Sequence, residues 1–122
     1  MELNELTGAV IGAAIEVHRQ LGPGYLESIY EEALTLELEH RQIPFERQKV
    51  IYVAYKGSRI GESRLDLLVD NRLIVELKAV EKLIPLHTAQ VLSYLKMTGH
   101  SHALLMNFNV EMLKKGLKRI AL

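Results

Sequence analysis

Two short apolar segments joined by a polar turn constrain the fold of this chain most strongly. Residues 65–69 (LDLLV) and 73–80 (LIVELKAV) are rich in leucine, isoleucine and valine, and the residues between them, 70–72 (DNR), are typical of turns. Two such segments separated by three polar residues predict a β-hairpin. The three-residue loop also fixes the expected pairing, which places Asp66 opposite Glu76.

The hairpin brings charged side chains together on a surface that is otherwise apolar. Lys78 shares the face of Glu76, because side chains alternate along a strand. Two carboxylates about 5 Å apart at Cβ repel by roughly 3 kcal/mol at an effective dielectric constant of 20. A bound divalent cation such as magnesium, manganese or calcium would relieve this repulsion, since these ions prefer oxygen ligands. Neutralisation by Lys78 on an ordinary solvated sheet face is the alternative that the hairpin alone leaves open.

Length and composition predict one domain that covers residues 1–122. Hydrophobic residues make up 48% of the chain and charged residues 25%, which is typical of a globular protein and argues against long disordered segments. The chain contains no cysteine. Disulfides, zinc–thiolate sites and iron–sulfur clusters are therefore excluded within it.

Charge and hydropathy limit the expected partners. Fifteen basic and fifteen acidic residues cancel, so no global charge indicates nucleic-acid binding, although bound metal ions would make the working protein more positive. The first residues include Glu2 and Glu5 rather than a basic region, and no apolar run approaches membrane-spanning length. We therefore expect a cytoplasmic protein without membrane association.

Periodicity and turn residues predict an ααβββαβα order. The predicted elements are helices at 6–21 and 25–42, strands at 50–55, 60–69 and 73–80, a helix at 86–97, a strand at 102–108 and a helix at 110–120. The helix between the third and fourth strands is a crossover, and crossovers join parallel strands. The sequence thus predicts a mixed sheet flanked by helices.

Several polar side chains on the predicted helices are candidates for a site. Gln90 and Tyr94 share one helix face, where they could hold a phosphodiester or form an ordinary helix–sheet hydrogen-bonding pair. Glu27 is either a first-turn glutamate favoured by the helix dipole or a third carboxylate directed at Asp66 and Glu76. His18 is equally ambiguous, since an isolated histidine more often has a structural partner than a metal.

Basic residues are concentrated near the end of the chain. The predicted last helix contains four of them and a single acidic residue, Glu111; the four are Lys114, Lys115, Lys118 and Arg119. One interpretation is a solvated helix end that the helix dipole favours, and the other is a surface that contacts phosphates.

The segment from Gly24 to Tyr30 reads G-x-x-E-x-x-Y and resembles the signature of the GxxExxY proteins, a group within the PD-(D/E)XK nuclease superfamily. Further segments of this chain resemble landmarks of that group, in the same order and over almost the whole length of the chain. They are Arg64-Leu65-Asp66, Glu76-Leu77-Lys78, Gln90-Val91-Leu92-Ser93-Tyr94, Asn107-Phe108 and Lys118-Arg119-Ile120. The Q-x-x-x-Y spacing also resembles the exonuclease domains of recombination nucleases.

The resemblance implies a restriction-endonuclease-like fold with an αβββαβ core, an α/β architecture that agrees with the predicted order of elements. It also implies that Asp66, Glu76 and the backbone carbonyl of Leu77 ligate Mg²⁺ or Mn²⁺, and that Glu27 completes or buffers the site. Relatives with the Q-x-x-x-Y motif often add a metal-binding histidine, for which His18 is the candidate here.

Roles in phosphodiester hydrolysis follow from the same resemblance. It implies that Lys78 positions the attacking water and stabilises charge on the scissile phosphate, while the metal ion lowers the pKa of that water. Gln90 and Tyr94 would support the site or the phosphate. The expected function is metal-dependent hydrolysis of DNA, with RNA as the second choice, and a homodimer is a further expectation. The alternative is an inactive nuclease-fold module that binds nucleic acid or a protein partner.

Overall fold

A five-stranded sheet with helices on both faces forms the body of the protein. The computed structural model describes all 122 residues. The elements are α1 (Leu3–Leu21), α2 (Glu27–His40), β1 (Phe45–Tyr55), β2 (Ser58–Val69), β3 (Leu73–Lys78), α3 (Pro85–Thr98), β4 (His102–Asn107), a short 3₁₀ helix (Leu113–Gly116) and β5 (Leu117–Ala121). No helix is both long enough and apolar enough to cross a membrane.

The sheet is mixed, as predicted from the sequence. Its strands lie in the order β1-β2-β3-β4-β5, so each strand pairs with its neighbours in the chain. All neighbouring pairs are antiparallel except β3 and β4, which run parallel and are joined by α3. This parallel pair requires a crossover connection, and α3 supplies it.

Two apolar clusters hold the helices on opposite faces of the sheet. The larger one joins α1 and α2 to one face through residues such as Val10, Leu34 and Val75. The smaller one joins α3 to the other face through residues such as Val91 and Ile74. Because side chains alternate along β3, consecutive apolar residues serve the two clusters in turn. This explains why the sequence of β3 reads as a continuous apolar run.

The turn between β2 and β3 confirms the predicted hairpin and its register. Asp70 and Asn71 have φ angles of 51° and 56°, the left-handed values that both central residues of a type I′ turn require. The ladder that follows pairs Val69 with Leu73 and continues for two further pairs. The local turn chemistry of the sequence was therefore sufficient to set this register.

The predicted final helix at 110–120 is wrong. The structure contains only the short 3₁₀ helix there, and the chain then forms β5, which pairs antiparallel with β4. Gly116 marks the change, since a Cβ atom at this position would collide with the backbone carbonyl of Asn107. Lys118 and Arg119 are exposed on the edge strand, where charged side chains discourage pairing with other chains. Pairing with β4 therefore outweighs the helical pattern of the isolated segment.

Several element boundaries also differ from the prediction, and those of β1 and α2 are examples. β1 begins at Phe45 rather than at residue 50, and α2 covers Glu27–His40 rather than residues 25–42. The added part of β1 is polar, with the sequence Glu46-Arg47-Gln48-Lys49, and thus carries no apolar alternation. Its strand conformation depends on pairing with the apolar end of β2.

Candidate active site at a split in the sheet

The β2–β3 ladder ends where the two acidic residues begin. Its last pair is Leu67 with Val75, just before Asp66 and Glu76 along the hairpin. Beyond this point β2 continues to pair with β1, and β3 continues to pair with β4. The two strands therefore separate at Asp66 and Glu76, although these residues stand opposite each other in the extrapolated register. The separation creates a split in the sheet.

Each carboxylate bonds to a backbone amide of the opposite strand across the split. The N–H of Asp66 donates to Glu76 Oε1 at 2.9 Å, and the N–H of Leu77 donates to Asp66 Oδ2 at 2.8 Å. These two hydrogen bonds replace the carbonyl acceptors that a continuous ladder would provide. They also fix the orientation of both side chains, because each one is held at the carboxylate and at its own strand.

The second oxygen of each carboxyl group accepts no hydrogen bond from an amide or a hydroxyl of the protein. No buried side-chain oxygen of the chain lacks a partner, so Asp66 Oδ1 and Glu76 Oε2 both reach solvent. The two carboxyl groups also hydrogen-bond to each other when Glu76 is protonated. The carbonyl of Leu77 faces the same split, since the N–H and C=O of one strand residue point toward the same neighbouring strand. Two carboxylate oxygens and one carbonyl oxygen thus border the split.

Burial disfavours the simultaneous ionisation of the Asp66 and Glu76 carboxyl groups. Glu76 is only 3% exposed, and its pKa is raised to about 8, first by this burial and then by the neighbouring charge of Asp66. A cation would remove both penalties by favouring the ionised form. The oxygen donors match the preference of Mg²⁺ and Mn²⁺. No group of three or more His, Asp or Glu side chains is close enough to hold a metal ion.

Lys78 lies next to the carboxylates and is held by α3. Its Nζ donates to Gln90 Oε1 at 3.2 Å, and its positive charge lowers the pKa of both Glu76 and Glu27. β3 places Lys78 two residues after Glu76, on the same face. The predicted proximity of Gln90 to the charged part of the hairpin is present in the structure.

Tyr94 connects α3 to β2 through a hydrogen bond. It is buried, and its hydroxyl accepts a hydrogen bond from Ser63 Oγ at 3.0 Å. Val91 and Leu95 flank it in the apolar cluster on this face. Ser63 was not identified from the sequence, although its position two residues before Leu65 indicates that it faces a buried layer.

Glu27 begins α2 and faces the split without contacting it. Its carboxylate makes no hydrogen bond, yet partial burial and the charge of Asp66 raise its pKa, whereas Lys78 lowers it. Tyr30 fixes the start of the helix, because its hydroxyl donates to the carbonyl of Gly22 at 2.6 Å and accepts from the N–H of Tyr25 at 3.1 Å. Tyr30, the last residue of the G-x-x-E-x-x-Y segment, therefore anchors the helix start that carries Glu27.

His18 has a structural partner in this conformation. Its Nε2 lies 2.8 Å from the carbonyl oxygen of Val110, and its ring lies 6.3 Å from that of Phe108. No hydrogen bond joins it to Asp66 or Glu76. The structure thus brings Glu27, Asp66, Glu76, Lys78 and Gln90 to one region and leaves His18 attached to the β4–β5 connection.

β2 changes face at Asp66, beside the split, and its other neighbour β1 changes face with it. Leu65 belongs to the cluster with α3 and Leu67 to the cluster with α1 and α2, whereas residues two apart in a regular strand share a face. The β1–β2 pairing omits Asp66 and Gln48, and Gln48 has a φ of 50°. Gln48 Nε2 donates to the buried carboxylate of Glu31 at 2.8 Å. This contact, which the sequence did not reveal, fixes β1 opposite Asp66.

Asn107 holds the chain that follows Lys78. Its side chain is buried, accepts from the N–H of Val80 at 3.0 Å and donates to the carbonyl of Val80 at 2.9 Å. The N–H of Phe108 donates to the carbonyl of Lys78 at 2.9 Å. An asparagine at the end of an apolar strand is the only sequence signal for this role.

The PD-(D/E)XK nuclease superfamily is the family to which this chain belongs, since the model of that superfamily matches residues 4–120. The predicted superfamily and the restriction-endonuclease-like fold are thereby confirmed. No curated protein and no solved structure matches the chain. Membership suggests a nuclease-type function on nucleic acid, and nucleases of this superfamily generally use divalent metal ions. Assignment to the GxxExxY group stays a prediction.

Proposed function

We propose that this protein is a divalent-metal-dependent nuclease that hydrolyses phosphodiester bonds in DNA, with RNA as the second choice of substrate. One observation supports this proposal most strongly. One carboxyl oxygen of Asp66 and one of Glu76 reach solvent at the split, and Lys78 lies beside them. Two carboxyl oxygen donors, of which Glu76 ionises when a cation binds, form with the ammonium group a site that can take a cation and a phosphate together.

The side chains at the split receive distinct roles in this proposal. Asp66, Glu76 and the Leu77 carbonyl hold Mg²⁺ or Mn²⁺, which supplies Lewis-acid activation of water and of the phosphate when bound. Lys78 orients the water and stabilises negative charge that develops on the phosphate. Gln90 fixes the Lys78 ammonium through their hydrogen bond.

The remaining candidates act around this centre. Tyr94 supports β2 through its contact with Ser63, and Glu27 adds negative charge at the entrance of the split. We further propose that residues 1–122 form a single nuclease-like domain that works as a homodimer, because one domain of this size offers little surface for grasping a duplex. Light scattering of the purified protein tests the dimer, and a strictly monomeric protein would contradict it.

Cleavage assays with labelled single-stranded, duplex and branched DNA, and with RNA, test the catalytic proposal. In Mg²⁺ or Mn²⁺ we expect the wild-type protein to cleave at least one of these substrates. We expect Asp66→Asn and Lys78→Ala to reduce the initial rate by roughly 100-fold or more, the usual effect of removing one electrostatic stabiliser. Lys96→Ala is the matched control, since Lys96 is exposed in the last turn of α3.

Two results would contradict the catalytic proposal. One is a folded wild-type protein that cleaves none of the substrates with either metal, and the other is wild-type rates in both site variants. Binding of nucleic acid without cleavage would favour the alternative function, a nuclease-fold module without activity. The zero net charge of the chain is the observation that favours this alternative.

A further inference from the structure

The β1–β2 ribbon, residues 50–64, extends beyond the part of the sheet that the helices cover. All of residues 52–64 are exposed except Val53 and Ser63. The ribbon contains three basic residues and one acidic residue, a net charge of +2 in a chain whose total charge is zero. The ribbon therefore carries a small excess of positive charge next to Asp66.

One face of the β1–β2 ribbon combines arginine with an aromatic ring. The guanidinium of Arg59 lies 3.8 Å from the centre of the Tyr52 ring. The β-bulge beside Val53 and Ala54 brings Arg59 into line with Ala54, on the Tyr52 side of the ribbon. Bulges of this kind redirect side chains near functional sites. The stacked pair is thus a preformed cationic and aromatic surface.

Arg64 continues this face toward the split. Ser63 contacts Tyr94 of α3, so the next residue, Arg64, faces the opposite side of the sheet. That side also carries α2, which begins at Glu27. Neither Arg59 nor Arg64 forms an ion pair, although Glu62, which pairs with Tyr52, lies between them on the same face. Both guanidinium groups are available to an anionic partner.

The spacing of the two arginines fits a polymer of phosphates. Arg64 precedes Asp66 by two residues and Arg59 precedes it by seven, which places Arg59 roughly 23 Å from Asp66 at about 3.3 Å per strand residue. One strand of a DNA duplex rises by about 3.4 Å per phosphate, so the distance from Arg59 to Asp66 corresponds to about seven nucleotides. A strand whose scissile phosphate lies at the split can therefore run along the ribbon.

We infer that the β1–β2 ribbon binds the phosphodiester backbone beside the scissile bond through Arg59 and Arg64, with Tyr52 as a surface for base or sugar contacts. This inference rests on the proposed nuclease function. Arginine suits the role because its planar guanidinium donates two parallel hydrogen bonds to a phosphate. Tyrosine stacks on bases without regard to sequence. The ribbon thus adds affinity and a direction to the substrate rather than sequence specificity.

Fluorescence anisotropy with labelled single-stranded and duplex DNA tests the ribbon directly. Binding is measured over a range of salt concentrations, both in EDTA and in Ca²⁺. We expect the double variant Arg59→Ala/Arg64→Ala to bind at least about 10-fold more weakly than the wild type. We also expect its salt-dependence slope to fall by about two, because each lost phosphate contact removes about 0.9 from the slope.

The control variant is Lys96→Ala/Arg119→Ala, which removes two positive charges from exposed positions in α3 and β5. It should retain wild-type affinity and slope. Equal binding by the ribbon variant and the wild type would overturn the inference while leaving cleavage, and hence the proposed function, intact. Loss of affinity in the control variant rather than in the ribbon variant would also overturn the inference. A wild type that neither binds nor cleaves would contradict both proposals.

Discussion

The carboxylates of Asp66 and Glu76 occupy the places that backbone carbonyls hold in a continuous β-ladder. Each accepts one amide hydrogen bond across the split and keeps one oxygen to which no amide or hydroxyl donates. This arrangement explains how the chain tolerates two acids in an apolar environment without a third charged partner bonded to them. Hydrogen bonds from backbone amides favour the ionised form, whereas burial of Glu76 opposes it.

The raised pKa of Glu76 predicts a specific dependence of stability on pH. The folded protein keeps the Glu76 proton up to about pH 8, whereas the unfolded chain releases it near its ordinary pKa of 4.5. The folded state therefore binds more protons in this range, and the free energy of unfolding decreases as pH rises. In EDTA we expect the wild type to lose about 1 kcal/mol per pH unit between pH 5 and pH 8 relative to Glu76→Gln.

Urea unfolding of both proteins at several pH values measures this difference. Comparison with Glu76→Gln cancels the titration of the five histidines, which both proteins share. We expect Glu76→Gln to be the more stable protein at pH 8. Stability curves that stay parallel across this range would show that Glu76 titrates normally in the folded state.

The start of α2 depends on hydrogen bonds made by a single hydroxyl. Tyr30 is fully buried, stacks on Phe108 at 4.7 Å and bonds to the backbone on both sides of the turn before the helix. Tyr30→Phe keeps the ring but leaves the carbonyl of Gly22 and the N–H of Tyr25 without this partner. We expect a loss of about 1–2 kcal/mol in the free energy of unfolding.

Chemical denaturation checks this expectation, with Tyr25→Phe as the control. Tyr25 is half exposed and its hydroxyl makes no hydrogen bond, so its removal should change stability by less than about 0.5 kcal/mol. Equal stability of Tyr30→Phe and the wild type would mean that the turn is held by other contacts.

The strand that replaces the expected last helix also depends on one residue. A Cβ at Gly116 would strike the backbone of Asn107, whose side chain holds the segment after Lys78. We expect Gly116→Ala to destabilise the protein by about 2 kcal/mol or more, since neither backbone can move freely. Gly8→Ala is the opposite case, because Gly8 is exposed in α1 with open space around it and alanine favours helices.

Thermal and urea unfolding of the two alanine variants separates these effects. We expect Gly8→Ala to stabilise the protein by about 0.5–1 kcal/mol, so the two substitutions should differ in sign. A neutral Gly116→Ala would argue that residues 113–121 do not adopt the 3₁₀-to-strand path.

Over the whole molecule, the sequence predicted the features that depend on local chemistry. Turn residues set the β2–β3 hairpin, and the connection through α3 predicted the parallel pair and the mixed sheet. The end of the chain was mispredicted because Leu117–Ala121 becomes a strand only by pairing with β4. Local periodicity carries no information about such a partner.

The candidate site was predictable as a set of residues but not as a geometry. The alternation of side chains along strands and the hairpin turn predicted that Asp66, Glu76 and Lys78 lie together. Helix spacing predicted that Gln90 and Tyr94 share one face of α3. The split lies where β2 stays paired with β1 and β3 stays paired with β4 while β2 and β3 stop pairing with each other, and local periodicity does not encode this arrangement. The contact of Gln48 with Glu31 also joins elements far apart in the chain, which a single sequence does not reveal.

Calorimetric titration of Mn²⁺ into the folded protein at pH 7 tests directly whether the split binds a cation. We expect one ion to bind with release of about one proton, because Glu76 is protonated at this pH before the ion enters. Glu76→Gln should abolish this binding and its proton release, whereas Glu62→Gln, which alters an exposed carboxylate of the same strand as Asp66, should retain both. Absence of Mn²⁺ binding by the folded wild type, or wild-type binding by Glu76→Gln, would contradict a metal centre at Asp66 and Glu76.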